Sequence, residues 1–209
     1  MKIKVVTYMW GDFKYFALSE KINRMYCERH GYEYVIGRTR PREDSHPAWG
    51  KLPVILNEMH DCDYLLYVDA DAVFYSHGLR IEDELIPDLR DKVLMMASDC
   101  ARDGYRVRAT LPNTGVILIK VCDKAKVLFE EWNTLPDVDP SMRYADFWEQ
   151  SAYHKHLMDK YRDILHLNVD YYRMNGLFGQ YIRHFLAQSD DARVVRMQRV
   201  YNRLMQVGC

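Results

Sequence analysis

The apolar run Tyr64-Leu65-Leu66-Tyr67-Val68 ends abruptly on Asp69-Ala70-Asp71, and no other stretch constrains the chain as tightly. Five consecutive apolar residues bounded by turn formers read as a strand buried on both faces, the pattern of a parallel sheet rather than of a half-solvated antiparallel one. Such a strand needs helices on both sides to cover it. Side chains two residues apart in a strand share a face, so the spacing predicts that Asp69 and Asp71 converge on one hard cation. A cation held in this way can in turn hold a diphosphate.

The flanking sequence supplies the cover. Residues 3–8 form a short apolar run, and residues 13–30 carry Phe16, Ile22, Met25 and Tyr26 at helical spacing before stopping at Gly31. Residues 32–36 read as a second strand, 37–47 as a charged, proline-containing loop, and 49–60 as a helix leading into the strand at 64–68. Beyond Asp71, residues 81–89 read as a short helix or turn, 93–97 as a buried strand, 98–112 as a polar loop and 114–120 as another strand. Residues 124–135 and 144–160 have helical periodicity, separated by a break at Pro136-Asp137-Val138-Asp139-Pro140. Residues 163–170 and 181–186 are weaker strand candidates. Ser189 is suited to cap a last amphipathic helix over 190–206, whose first turn is acidic. Strands alternating with helices predict an α/β domain with a mainly parallel central sheet flanked by helices. With no repeat or boundary visible, residues 1–209 are expected to form a single domain.

Charge and cysteine usage narrow the partners. The 29 basic and 30 acidic residues leave a formal charge of −1, so no global field draws the chain to nucleic acid or an anionic membrane, and any anionic ligand has to be met by a local site. The cysteines at 27, 62, 100, 122 and 209 are odd in number and lack a CxxC spacing. The opening MKIKVVTYMWGDF has no apolar signal region. Free thiols in a reducing, cytoplasmic compartment are therefore expected. No apolar run reaches the length of a membrane span, although a further domain or segment of a longer chain can supply an anchor. The 16 tyrosines and 4 tryptophans suit core packing and also flat ligands such as bases and sugars.

Two chemistries use an acidic pair at a strand end. In one, both carboxylates bind Mn²⁺ or Mg²⁺, which neutralises a nucleoside diphosphate leaving group. In the other, Asp69 is a nucleophile toward phosphate and Asp71 a general acid, as in haloacid-dehalogenase-type phosphatases, whose motif Val68-Asp69-Ala70-Asp71-Ala72-Val73 also satisfies. A strand-helix-strand-helix unit precedes Asp69 and Asp190-Asp191 reads as a helix start, and both observations disfavour the phosphatase. A non-catalytic nucleotide-sugar or carbohydrate-binding module is the third reading.

Ordered motifs surround the acidic pair. These are His30-Gly-Tyr-Glu-Tyr34, Trp49-Gly-Lys51-Leu-Pro, Asn113-Thr-Gly-Val-Ile-Leu-Ile-Lys120, Glu149-Gln-Ser-Ala152 and Gly179-Gln-Tyr-Ile-Arg-His184-Phe. In this order they resemble the GT-A nucleotide-sugar glycosyltransferases. The likeness is greatest to glycosyltransferase family 34, the galactosyl and xylosyltransferase group, and more distant to family 8; the chain also resembles the N-terminal domain of large algal-virus glycosyltransferases. The resemblance implies a Rossmann-like GT-A fold and a retaining transfer of a sugar from a UDP-sugar donor to a hydroxyl of a glycan acceptor. It further implies that Asp69, Asp71 and His184 ligate Mn²⁺ or Mg²⁺. Thr7, Tyr8, Lys51, Ala70 and Asn113 are expected along the donor, and Glu149 and Gln150 beside the reacting carbon. Phe185-Leu-Ala-Gln188 departs from the family, which usually has a glycine after the histidine. Retention proceeds either by same-face attack or through a covalent glycosyl-enzyme; Glu149 is the one nearby acid suited to the latter, and same-face attack is favoured.

Overall fold

A computed structural model describes residues 1–38, 40, 42–100, 107–168 and 171–207. In chain order the elements are β1 (Ile3–Tyr8), α1 (Phe16–His30), β2 (Glu33–Gly37), α2 (Lys51–Glu58), β3 (Tyr64–Val68), β4 (Ala72–Phe74), α3 (Ile81–Glu84), α4 (Ile86–Leu89), β5 (Leu94–Cys100) and β6 (Val107–Lys120). They continue with α5 (Asp123–Val138), α6 (Trp148–Ala152), β7 (Leu165–Asn168), α7 (Tyr171–Met174), β8 (Ile182–His184) and α8 (Asp190–Gln206). A six-stranded sheet has the order β2-β1-β3-β6-β5-β7, and β4 pairs with β8 in a separate ribbon. Only β6 runs against the other five strands of the main sheet. The expected mainly parallel α/β architecture is therefore present, with one reversed strand at its centre.

The double-sided burial read from β3 is realised residue by residue. Leu65 and Tyr67 pack on one face with Leu52 and Ile55 of α2 and with Phe129 and Trp132 of α5. Leu66 and Val68 pack on the other with Tyr26 of α1, Ile81 and Phe74. All four β3 side chains are essentially removed from water, at about 1.5–3 kcal/mol for each large apolar side chain. Helix α1 ends as expected, with Gly31 at φ 72° and its N–H directed at the Cys27 and Glu28 carbonyls. Ser189 caps α8, accepting from the Ala192 N–H.

Three sequence expectations change. Residues 98–112 are not simply a loop: β5 runs to Cys100 and β6 starts at Val107, so the described parts form a long antiparallel pair. Residues 101–106 lie outside the described residues. The break at Pro136 lies inside α5, which continues to Val138; proline near a helix end costs a single backbone bond, and Arg143 Nε donates to the Pro136 carbonyl at 2.9 Å. The helix expected over 144–160 is divided into a 3₁₀ turn (Pro140–Tyr144), α6 and a π turn (Tyr153–Leu157). Strand β4 was not anticipated. It is only three residues long and is fixed by a buried side chain: Asn23 Nδ2 donates to the Ala72 carbonyl and Asn23 Oδ1 accepts from the Phe74 N–H, at 3.0 and 3.1 Å. Among the described residues no helix is long and apolar enough to cross a membrane.

His77, just past β4, is 2% exposed, and burial pushes its pKa down to about 4. The unfolded chain therefore takes up this proton first, from about pH 6.5, while the fold resists it until about pH 4. Stability falls as pH drops through that window. His77→Leu should flatten this part of the profile: urea midpoints at pH 7, 6 and 5 should converge for the variant and diverge for the native chain.

Candidate functional site

The acidic pair sits where β3 stops, beyond the carboxyl end of a strand, the usual ligand side of such sheets. The two carboxylates are brought together by a turn rather than by strand periodicity. The Ala72 N–H bonds back to the Asp69 carbonyl at 2.9 Å, so residues 69–72 reverse the chain between β3 and β4. Strand β8 then pairs His184 with Ala72, which sets the imidazole against Asp71.

Strand β6 provides the floor. It pairs Val116 with Val68, and the Asp69 N–H donates to the Gly115 carbonyl at 2.7 Å. On its other edge the register to β5 jumps, from Met96 opposite Ile117 to Ala97 opposite Asn113. Residues 114–116 thus bulge away from β5, as bulges beside functional sites commonly do. A Cβ on Gly115 would lie 2.1 Å from His184 Cε1 and 2.9 Å from Asp69 Oδ2. Glycine is required here because the histidine ring rests on the backbone.

His184 Nε2 lies 3.0 Å from Asp71 Oδ1 and 3.8 Å from Asp69 Oδ2. Its Nδ1 is 2.7 Å from Asn175 Oδ1. With Asn175 in this orientation the amide oxygen accepts from Nδ1–H, and Nε2 is turned toward the carboxylates. The three ligand atoms lie within 4.8 Å of one another. Two carboxylates and one imidazole suit a divalent cation such as Mn²⁺, so the residues present fit the implied ion.

A second cluster adjoins the first. Lys51, the first residue of α2, is buried and places Nζ 2.9 Å from Asp69 Oδ1 and 2.8 Å from Glu149 Oε1. Burial alone would lower its pKa, but the Asp69 and Glu149 charges raise it above the ordinary lysine value, so the ammonium persists. Tyr67 donates to Asp69 Oδ1 at 2.7 Å. Thr114 Oγ1 donates to Glu149 Oε1 at 3.0 Å, and the Thr114 N–H to Gln150 Oε1 at 3.1 Å. Burial, reinforced by Asp69, raises the Glu149 pKa against the opposing pull of Lys51. Asp71 shifts the other way: burial opposes ionisation, but His184 and Arg193 outweigh it and hold the carboxyl below the usual range.

The turn into α6 is strained. Phe147 and Trp148 both have positive φ, 61° and 47°, which costs non-glycine residues about 1–3 kcal/mol each. Trp148 stacks on His46 with centroids 3.8 Å apart, tying together the segments that carry Lys51 and Glu149.

The structure therefore unites Lys51, Asp69, Asp71, Glu149, Gln150 and His184. Asn113 adjoins them, its Oδ1 accepting from the Gly115 N–H at 2.9 Å. Ala70 packs its methyl in the apolar layer between α1 and α8. Thr7 accepts from Tyr34 at 3.4 Å. Tyr8 packs against Trp49 and Leu52, its ring seated on Gly50. Tyr67, Thr114, Asn175 and Arg193 were missed. Tyr67 is hidden in an apolar run, and the other three act through contacts distant in sequence.

Residues 10–111 match the model of the galactosyl transferase GMA12/MNN10 family, a span that includes Lys51, Asp69 and Asp71 and ends before Asn113. No curated protein sequence matches the chain. Among solved structures, the chain is similar to a glycosyltransferase involved in glycosylation of the major capsid of PBCV-1. The TM-score is 0.77 at 13% identity, over 95% of this chain and 100% of that one. It is also similar to the glycosyltransferase GlyE of Streptococcus pneumoniae TIGR4, with a TM-score of 0.58 at 13% identity, over 99% of this chain and 64% of that one. For the WbbM bifunctional glycosyltransferase the TM-score is 0.55 at 10% identity, over 98% of this chain and 52% of that one. The last two are thus longer chains that this one spans only in part. At these identities the structures speak to the fold.

Gly115→Ala should cost about 1–3 kcal/mol of stability, because the added methyl forces a buried ring or the strand to move. Urea unfolding of the variant should show the loss. Phe147→Gly should stabilise the chain by about 1 kcal/mol, since the exposed phenyl is traded for relief of strain; the melting temperature reports it.

Proposed function

We propose that this GT-A glycosyltransferase moves a sugar from a UDP-sugar to a hydroxyl group of a glycan acceptor, with Mn²⁺ or Mg²⁺ held by Asp69, Asp71 and His184, and with retention of anomeric configuration. The observation that carries the reading is the convergence of those three side chains beyond the end of β3. When bound, the ion supplies charge neutralisation of the diphosphate leaving group. The remaining work falls to the chain. Lys51 contributes a permanent ammonium beside Asp69. Thr114 and Lys51 fix the Glu149 carboxylate, and the Thr114 N–H fixes Gln150, so both side chains are pre-oriented rather than searching rotamers.

The same contacts favour one retaining route. Glu149 is 3% exposed, Oε1 accepts from Lys51 and Thr114 while Oε2 is buried without a partner, and the adjacent Lys51 ammonium draws charge from the whole carboxylate, which weakens it as a nucleophile. Same-face attack, in which the departing phosphate oxygen takes the proton of the acceptor hydroxyl as the new bond forms, requires no enzyme carboxylate at the anomeric carbon. Glu149 then acts by holding Lys51 and, through Lys51, Asp69.

Incubation with a panel of UDP-sugars should give UDP release that depends on Mn²⁺ or Mg²⁺ and stops on chelation, and Asp71→Asn should lower it by about a hundredfold or more while leaving the circular dichroism spectrum unchanged. Hydrolysis of a phosphomonoester with no response to any nucleotide sugar would restore the phosphatase reading. Saturable UDP-sugar binding without turnover toward any acceptor or water would favour the binding module.

A further inference from the structure

Each carboxylate of the acidic turn has its own resident cation. Asp69 Oδ1 is 2.9 Å from Lys51 Nζ. Asp71 Oδ2 is gripped by two nitrogens of Arg193, Nε at 3.0 Å and Nη2 at 2.8 Å. The oxygens left over, Asp69 Oδ2 and Asp71 Oδ1, are the two that face His184 Nε2. Both nitrogens converge on that one oxygen, a two-nitrogen hold that the planar guanidinium makes and a lysine ammonium does not.

Arg193 is well placed to hold this geometry. It lies in the first turn of α8, its own N–H bonded to the Ser189 carbonyl. Its Nε also reaches the Phe185 carbonyl at 3.3 Å, and its guanidinium lies 5.2 Å from the Tyr15 ring centroid. Helix α8 is anchored separately through Met197, Val200 and Leu204. Arg193 is therefore held by the fold, and not merely drawn in by Asp71.

We infer that Arg193 is a positioning residue that makes metal binding depend on the diphosphate. This rests on the metal-dependent reading proposed above. Lys51 and Arg193 offset two of the three charges of Asp69, Asp71 and Glu149, so the site presents at most one net negative charge to an arriving dication. Metal alone is a poor match for such a site. A metal together with a nucleoside diphosphate is a good one, because the anion meets both the ion and the two resident cations. Holding Asp71 Oδ2 also leaves only Oδ1 free, so Asp71 ligates through a single oxygen.

The test is Mn²⁺ binding, followed by calorimetry or electron paramagnetic resonance, with and without UDP. The native chain should bind Mn²⁺ weakly alone and distinctly more tightly in the presence of UDP. Arg193→Gln removes the charge from beside Asp71 and should tighten Mn²⁺ binding alone by about tenfold or more, while the gain produced by UDP shrinks. Arg193→Lys keeps the charge and should retain most of that gain while losing the two-nitrogen hold on Oδ2. Thermal melts of both variants monitor folding; a merely structural arginine, once lost, lowers stability without changing the ratio of the two Mn²⁺ affinities. If Arg193→Gln binds Mn²⁺ no more tightly than the native chain and keeps the full UDP effect, this inference is overturned and the metal reading stands. If the native chain binds no Mn²⁺ with or without UDP, both fall.

Discussion

The pairing of β3 with the reversed strand β6 is the constraint on which the rest of the site depends. Five strands run one way and place their carboxyl ends on a common edge. Running β6 against them brings the middle of a long strand, instead of a loop, beside that edge. Val68 opposite Val116 and the 2.7 Å bond from the Asp69 N–H to the Gly115 carbonyl fix the register. A slip of one residue would turn Thr114 and Gly115 to the wrong faces. With the register set, Gly115 underlies the imidazole of His184 and Thr114 meets Glu149 and Gln150. The bulge opposite β5 lets them do so without breaking the apolar ladder that follows.

Charge compensation is the second organising feature. Lys51, Asp69, Asp71, Glu149, His184 and Arg193 are held within a network that also draws in Tyr67 and Thr114. Removing one partner from such a network strands a buried charge, which generally costs more than the intact pair contributes. The strained turn at Phe147 and Trp148 belongs to the same economy, since it delivers Glu149 and Gln150 at an angle a relaxed helix entry would not give.

Much of this was legible in the chain because it was local. The β3 run, the Gly31 stop, the Ser189 cap and the span of α8 each follow from a few adjacent residues whose physical preferences agree. The acidic pair was legible too, though for an incomplete reason: alternation along a strand suggested convergence, and a backbone turn achieves it. What was not legible depends on distant partners. Nothing near Arg193 in sequence distinguishes it from the other arginines of an amphipathic helix; its role appears only when α8 reaches Asp71. Asn175 is equally anonymous until it meets His184.

The separations along the chain carry a consequence for how the molecule is made. His184 reaches Asp71 across 113 residues and Arg193 reaches it across 122, so the cluster belongs to the non-local contacts that are entropically expensive and slow to form. During synthesis the first three strands and both early helices can condense while Asp69 and Asp71 still lack the histidine and arginine that complete their surroundings. The surroundings of Asp69 and Asp71 are thus completed only once the β4–β8 ribbon and α8 have folded, which makes this cluster one of the last parts of the molecule to form.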